Sequence, residues 1–197
     1  QNEFIPLAIY NNKKGADAQI LRKFKEPSWN NPVVRIINHN ELELADRLSG
    51  DYSKSGLALK MKLALLRTHG KIPEYFQIIA DEFVAEDTGL KTSYFNMYCF
   101  WTGEAQLGQL NGVINTSPGF MSCGEVVQVN YDPQLLEEKD LINHAEKNRF
   151  KTVNNKSRFR EDIDPQYYLK KSDYRHLPLT PAQRTKVNSA LGLNTDP

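Results

Sequence analysis

Two cysteines, Cys99 and Cys123, are all that the 197 residues contain, so no disulfide scaffold holds this chain. No Cys-x-x-Cys pair occurs, and no cysteine at all precedes Cys99. No apolar run approaches the ~20 residues that a membrane-spanning helix needs. Lys plus Arg number 25 against 24 for Asp plus Glu, a net charge of +1. That balance points to neither nucleic acid nor an anionic membrane surface as partner. The four histidines (His39, His69, His144, His176) form no ligand-spaced pair, and neither a Gly-rich phosphate loop nor a Ser-His-Asp pattern is visible. No cofactor is therefore expected. The composition, 40% hydrophobic and 25% charged, is that of an ordinary globular protein with one good core or two small ones. The chain opens at Gln1 and not at Met, which reads as a processed mature protein or a truncated piece and leaves the compartment, cytoplasmic or exported, open.

The richest stretch runs from Tyr94 to Pro133 and holds both cysteines. Tyr94, Phe95, Met97, Tyr98 and Phe100 read as a buried strand. A short helix follows, then a strand around Val113, Ile114 and Thr116, with a turn expected at Pro118-Gly119. Val127, Val129 and Tyr131 alternate on one face of a closing strand that Glu125 leads. Cys99 thus falls where a strand hands over to a helix. Free amides and the helix dipole at such a position favour a thiolate.

The residues around Cys99 carry a resemblance. Cys99-Phe100-Trp101 with Glu104-Ala105 resembles the signature of the A-type peptide methionine sulfoxide reductases. Gly112-Val113-Ile114, Thr116 to Phe120, Glu125-Val126-Val127 and Tyr131-Asp132-Pro133 follow the family's next strands in order. Asp162, Gln166 and Tyr167 fit its later Asp…Gln-Tyr element, and Leu179-Thr180-Pro181 with Gln183 fits the start of its last helix. The likeness covers roughly the C-terminal half. This chain departs from the pattern at Tyr98 and Thr102, where the family has glycine, and at Phe120, where it has a tyrosine that binds the sulfoxide oxygen. The loop after that turn is shortened to Met121-Ser122-Cys123-Gly124.

The resemblance implies an α+β fold: a ferredoxin-like or methionine sulfoxide reductase-like two-layer sandwich over residues 90–192. It also implies Cys99 as nucleophile, Glu125 as the acid, and Phe100, Trp101 and Phe120 around the methyl group. Asp162 and Tyr167 would bind or support the oxygen, with Tyr168 an alternative hydroxyl. Cys123 would resolve the Cys99 sulfenic acid or is an unrelated thiol at a turn. The implied substrate is methionine S-sulfoxide, free or in peptides, and the implied reductant a thioredoxin-like dithiol. Taken without the resemblance, Cys99 reads as a buried core thiol, Phe100 and Trp101 as core aromatics, and Glu125 as a strand-edge carboxylate. Two other readings stand beside the enzyme. One is a non-catalytic relative serving as a binding or scaffold module. The other is a Cu(I) site formed by Met97, Cys99, Met121 and Cys123, whose soft sulfurs alternate on two strands.

Residues 1–86 read as a smaller α/β region. A strand is expected at Phe4–Tyr10, a helix from Ala16 to Phe24, and a hairpin of Val33–Ile37 with Glu41–Leu44. Two helices follow, Ser55–Thr68 closed by Gly70, and one that starts at Pro73. The order resembles part of a thioredoxin-like fold without redox chemistry of its own. The break between the regions is expected at Glu86–Gly89. Beyond Pro133, a helix is expected over Glu138–Lys147 and a solvated basic loop over Asn148–Glu161. The closing helix is capped by Thr180-Pro181-Ala182-Gln183, and the tail after it is expected to fray.

Overall fold

Residues 3–29, 32–154 and 158–194 are described by a computed structural model, in which the chain divides into two units, Gln1–Ala80 and Asp81–Pro197. The expected tail at 195–197 and the middle of the basic loop at 155–157 lie outside the described residues. Among those described, no helix is long and apolar enough to cross a membrane.

In the first unit, α1 (Ala16–Lys23) starts after Gly15, whose φ of 84° suits a residue without Cβ. β1 (Val33–Val34) pairs antiparallel with β2 (Leu48–Ser49). The partner strand expected at Glu41–Leu44 is reduced to one bridge, Ile37 to Glu43. Asn38 Oδ1 closes the turn between them by accepting from the amides of Asn40 and Leu42. Arg47 and Arg35 converge on the Glu26 carboxylate and hold its pKa below the usual range. The strand expected at Phe4–Tyr10 does not form: Ile5 and Leu7 are 96% and 78% exposed, and Pro6 between them cannot donate to a ladder. α2 (Lys54–His69) starts where Ser53 Oγ accepts from the Gly56 amide at 2.9 Å, and it stops at Gly70 with φ 68°. A groove of about 460 Å³ runs along α2 between Leu48, Leu59, Leu63 and Leu66, and no candidate residue lines it. α3 (Glu74–Thr88) begins directly after Pro73.

The second unit is an α+β arrangement. Its elements are β3 (Lys91–Asn96), α4 (Phe100–Gly108), β4 (Val113–Met121), β5 (Gly124–Tyr131), α5 (Glu138–Lys147), β6 (Lys151–Thr152), β7 (Arg160–Glu161), α6 (Tyr167–Lys171) and α7 (Pro181–Gly192). The strands form one antiparallel sheet in the order β6-β3-β5-β4-β7. Phe95 pairs with Val127 and Ser93 with Val129, so the alternation read from β5 becomes one apolar face. Phe95, Met97, Val113, Val127, Val129 and Tyr131 on that face pack with Phe100 and Leu107 of α4 and Leu141 and Ala145 of α5. Burying side chains of this size is worth about 1.5–3 kcal/mol each.

Two sequence expectations change here. Pro118-Gly119 is not a turn but lies inside β4, and the chain reverses at Ser122-Cys123. Pro118 pairs with Val127 on the β5 side, while its carbonyl accepts from the Asp162 amide on the β7 side. Its missing N–H therefore points toward the sheet edge, and no bond to β5 is lost. The stretch Asn148–Glu161 is likewise not all loop, because both its ends pair as the edge strands β6 and β7.

α7 realises its capping box, with Thr180 and Gln183 each bonding the other's backbone amide. Glu82 also accepts from the Thr180 hydroxyl and from the Ala182 amide. α7 lies close against α4: a Cβ on Gly108 would fall 2.4 Å from Ser189 Oγ. Lys186 reaches from α7 to the carbonyls of Gly108 and Leu110 and closes the C-terminal end of α4. Burial lowers the Lys186 pKa to about 8.

Candidate active site

Cys99 is the last residue before α4, with extended φ and ψ of −135° and 112°. It is a half-buried free thiol, and its side chain caps no amide. The cap comes from the neighbouring strand instead: the Phe100 amide donates to Glu125 Oε2 at 2.9 Å. The sheet explains how a residue 25 positions later arrives there. The Met97 amide donates to the Glu125 carbonyl at 3.1 Å, which carries the β3–β5 ladder one step past its last strand pair. Asn96 Nδ2 donates to the carbonyls of both Cys123 and Glu125 and ties the β4–β5 turn to β3. A carboxylate aimed at the first helical amide is favoured by the helix dipole.

Around this corner the aromatic rings form one connected group. Phe100 meets Phe120 edge to face at 5.4 Å and Trp101 at 5.7 Å. Trp101 in turn stacks on Tyr167 at 4.1 Å, with the ring planes 16° apart. The indole Nε1 of Trp101 is buried without a hydrogen-bond partner among the described residues. The two adjacent tyrosines pack differently. Tyr167 lies on Trp101, whereas Tyr168 fills the space beside Gly192 of α7.

Glu104, quoted in the sequence signature but given no role there, is the buried acid beneath this group. It is 0% exposed and accepts from the Gln166 amide at 3.0 Å and from Thr116 Oγ1 at 3.4 Å. Burial raises its pKa to about 8 against the pull of those two bonds. Gln166, at φ 56°, is the residue before α6, so Glu104 fixes the start of the helix that carries Tyr167. Glu104 as the one charged residue of the FWTGEAQLG run was the available sequence signal. Asp162 is half-buried just after β7, where its carboxylate accepts from the Asp164 amide and shapes the turn.

The sheet thus gathers Cys99, Glu125, Phe100, Trp101, Phe120 and Tyr167 at one corner. Cys123 is a free, exposed thiol in the β4–β5 turn, whereas Met97 is 7% exposed and packed under α4 beside Gly103. The four soft sulfurs considered for Cu(I) are therefore divided between core and surface. Among the described residues no group of three or more His, Cys, Asp or Glu side chains gathers as a metal site.

These features define an α+β protein with a helix-terminal thiol, a carboxylate on the adjoining amide and an aromatic wall. Comparison with known proteins gives the same direction. The chain is 31% identical over 97 residues to the peptide methionine sulfoxide reductase MsrA of Methanococcus maripaludis strain C6, covering 41% of this chain and 60% of that one. It is 34% identical over 70 residues to MsrA 1 of a Nostoc species, covering 27% and 43%. To peptide methionine sulfoxide reductase A5 of Arabidopsis thaliana it is 33% identical over 69 residues, covering 28% and 27%. The chain is thus similar to MsrA proteins over part of its length, and it spans about 60% or less of the length of these relatives. No family model and no solved structure matches.

Proposed function

We propose that the second unit is a methionine sulfoxide reductase-like sandwich that reduces methionine S-sulfoxide with Cys99. The observation that carries this is the bond between the Phe100 amide and Glu125 Oε2, which brings a carboxylate to the amide directly after Cys99, at the end of an aromatic wall. The Cys99 thiolate attacks the sulfoxide sulfur while Glu125 supplies the proton to the oxygen. The S–O bond of the substrate breaks, the sulfide leaves, and the oxygen remains on Cys99 as a sulfenic acid. Phe100, Trp101 and Phe120 hold the S-methyl group, and Tyr167 closes the wall through its stack on Trp101.

Cys123 then attacks the sulfenic sulfur, forming a disulfide and releasing water. Support for this partner comes from the β4–β5 turn, where Asn96, three residues before Cys99, donates to the Cys123 carbonyl at 3.0 Å. An external dithiol, such as a thioredoxin, reduces that disulfide and completes the cycle.

A single-turnover assay with methionine S-sulfoxide and thiol counting tests the reading. One methionine formed with two thiols lost is the expected result. Loss of one thiol alone keeps Cys99 and removes Cys123 from the cycle. No methionine from folded protein with both thiols intact overturns the reductase assignment in favour of a binding module.

A further inference from the structure

The Arg160 guanidinium lies over the face of Phe120, 4.7 Å from the ring centroid. Among the described residues it meets no hydrogen-bonding or ion-pair acceptor. Its position follows from register. β7 sets Arg160 opposite Phe120, and β4 sets Phe120 opposite Glu125. Directly paired residues of antiparallel strands project to the same face. Arg160, Phe120 and Glu125 therefore form one row across three strands, on the face that α4 covers. Strands are spaced about 4.8 Å apart, so the backbones of Arg160 and Glu125 stand about 10 Å apart with the Phe120 ring between them. The carboxylate at one end already serves the Phe100 amide, while the cation at the other end has no such partner among the described residues.

We propose that Arg160 is the hydrogen-bond donor that binds and polarises the substrate's sulfoxide oxygen, an inference that rests on the reductase reading. The S–O bond of a sulfoxide is strongly polarised, and its oxygen is a good acceptor. A guanidinium stays charged at any working pH and presents five N–H donors in a fixed fork. The Phe120 face holds it by a cation–π contact that uses none of those donors. A cation on the oxygen draws electron density from sulfur, which favours thiolate attack, and it stabilises the charge that grows on oxygen as the S–O bond breaks. Arg160 gives up no proton. The sum of the step is unchanged: sulfoxide and thiol become sulfide and sulfenic acid. The sulfide product lacks the oxygen and so loses the contact, which aids its release.

The test separates sulfoxide from sulfide. In the Cys99→Ser background, N-acetylmethionine S-sulfoxide and N-acetylmethionine are titrated by calorimetry, with and without Arg160→Ala. The expected parent prefers the sulfoxide, and Arg160→Ala removes about ten- to hundred-fold of its affinity, the range for a hydrogen bond to a charged group. Affinity for the sulfide is expected to stay the same. Arg160→Lys, which keeps the charge without the fork, is expected to fall between. Equal loss for both ligands in Arg160→Ala, or loss for neither, overturns the inference while turnover by the unmodified chain keeps the reductase reading. Absence of turnover together with no preference in the parent overturns both.

Discussion

Glu125 and the backbone of Phe100 are joined by a 2.9 Å hydrogen bond, so the first amide of α4 is capped by a carboxylate from β5 and not by its own N-cap residue. One side chain thereby has two tasks, closing the helix end and standing next to Cys99. Two substitutions separate them. Glu125→Gln keeps an oxygen for the Phe100 amide but has no acidic proton. It is expected to change stability by less than about 0.5 kcal/mol and to lower kcat by about 10²–10⁴-fold. Glu125→Ala loses both, with a further stability loss of about 1 kcal/mol as for other helix caps. Urea unfolding and steady-state kinetics on both variants check this. Equal stability loss in the two would mean that the bond to Phe100 contributes little.

The two cysteines are expected to differ sharply. Cys99→Ser abolishes reduction, because the hydroxyl is a far weaker nucleophile toward sulfur. Cys123→Ser leaves the first turnover intact and stalls the chain as a Cys99 sulfenic acid, which dimedone traps and mass spectrometry detects. Multiple turnovers driven by a dithiol then slow. A Cys123→Ser protein that turns over at the full rate would remove the turn thiol from the cycle.

What was readable in the sequence is what local chemistry decides. The start of a helix at Cys99, the helix over Glu138–Lys147 and the box at Thr180-Pro181-Gln183 all depend on residues within a few positions, although the strand before Cys99 ends earlier than expected, at Asn96. Pro118 was misread for the opposite reason. Pro-Gly signals a turn locally, but its neighbours across the sheet, Val127 on one side and Asp162 on the other, hold it in a strand. Arg160 and Glu104 escaped notice because their surroundings are set by pairing and packing over long separations. Nothing near Arg160 in sequence reveals that it will stand opposite Phe120, 40 residues earlier by numbering, in the row of Glu125. Likewise, α6 is only five residues long and begins at a left-handed Gln166 that Glu104 holds from α4.

The Trp101–Tyr167 stack makes an asymmetric prediction for two adjacent tyrosines. Tyr167→Ala removes a ring stacked at 4.1 Å and opens one side of the wall. It is expected to cost about 0.5–1.5 kcal/mol for the aromatic pair beyond its burial and to raise KM more than it lowers kcat. Tyr168→Phe keeps the ring that fills the space beside Gly192 and is expected to leave both constants unchanged. Michaelis curves for the two variants decide. A loss of activity in Tyr168→Phe with none in Tyr167→Ala would move the functional role to residue 168.

Glu104 makes stability depend on pH in a direction opposite to that of a salt-bridged carboxylate. Burial raises its pKa from 4.5 to about 8, while the Gln166 amide and the Thr116 hydroxyl lower it and Asp162 and Glu161 add repulsion. Between those values the native chain keeps a proton that the unfolded chain releases. Its contribution is therefore complete below about pH 4.5 and is lost as pH rises through about 8, at up to about 1.4 kcal/mol per pH unit. Lys186 does not confuse this window. Its pKa is lowered from 10.5 to about 8, so at lower pH it is protonated in both states and adds little slope. Glu104→Gln mimics the neutral acid and keeps an oxygen for the Gln166 amide. Urea midpoints at about pH 5.5 and 7.5 are expected to fall with pH in the unmodified chain and to stay nearly level in the variant. Parallel slopes in the two proteins would mean that Glu104 is ionised in the folded state, with its charge carried by Gln166 and Thr116.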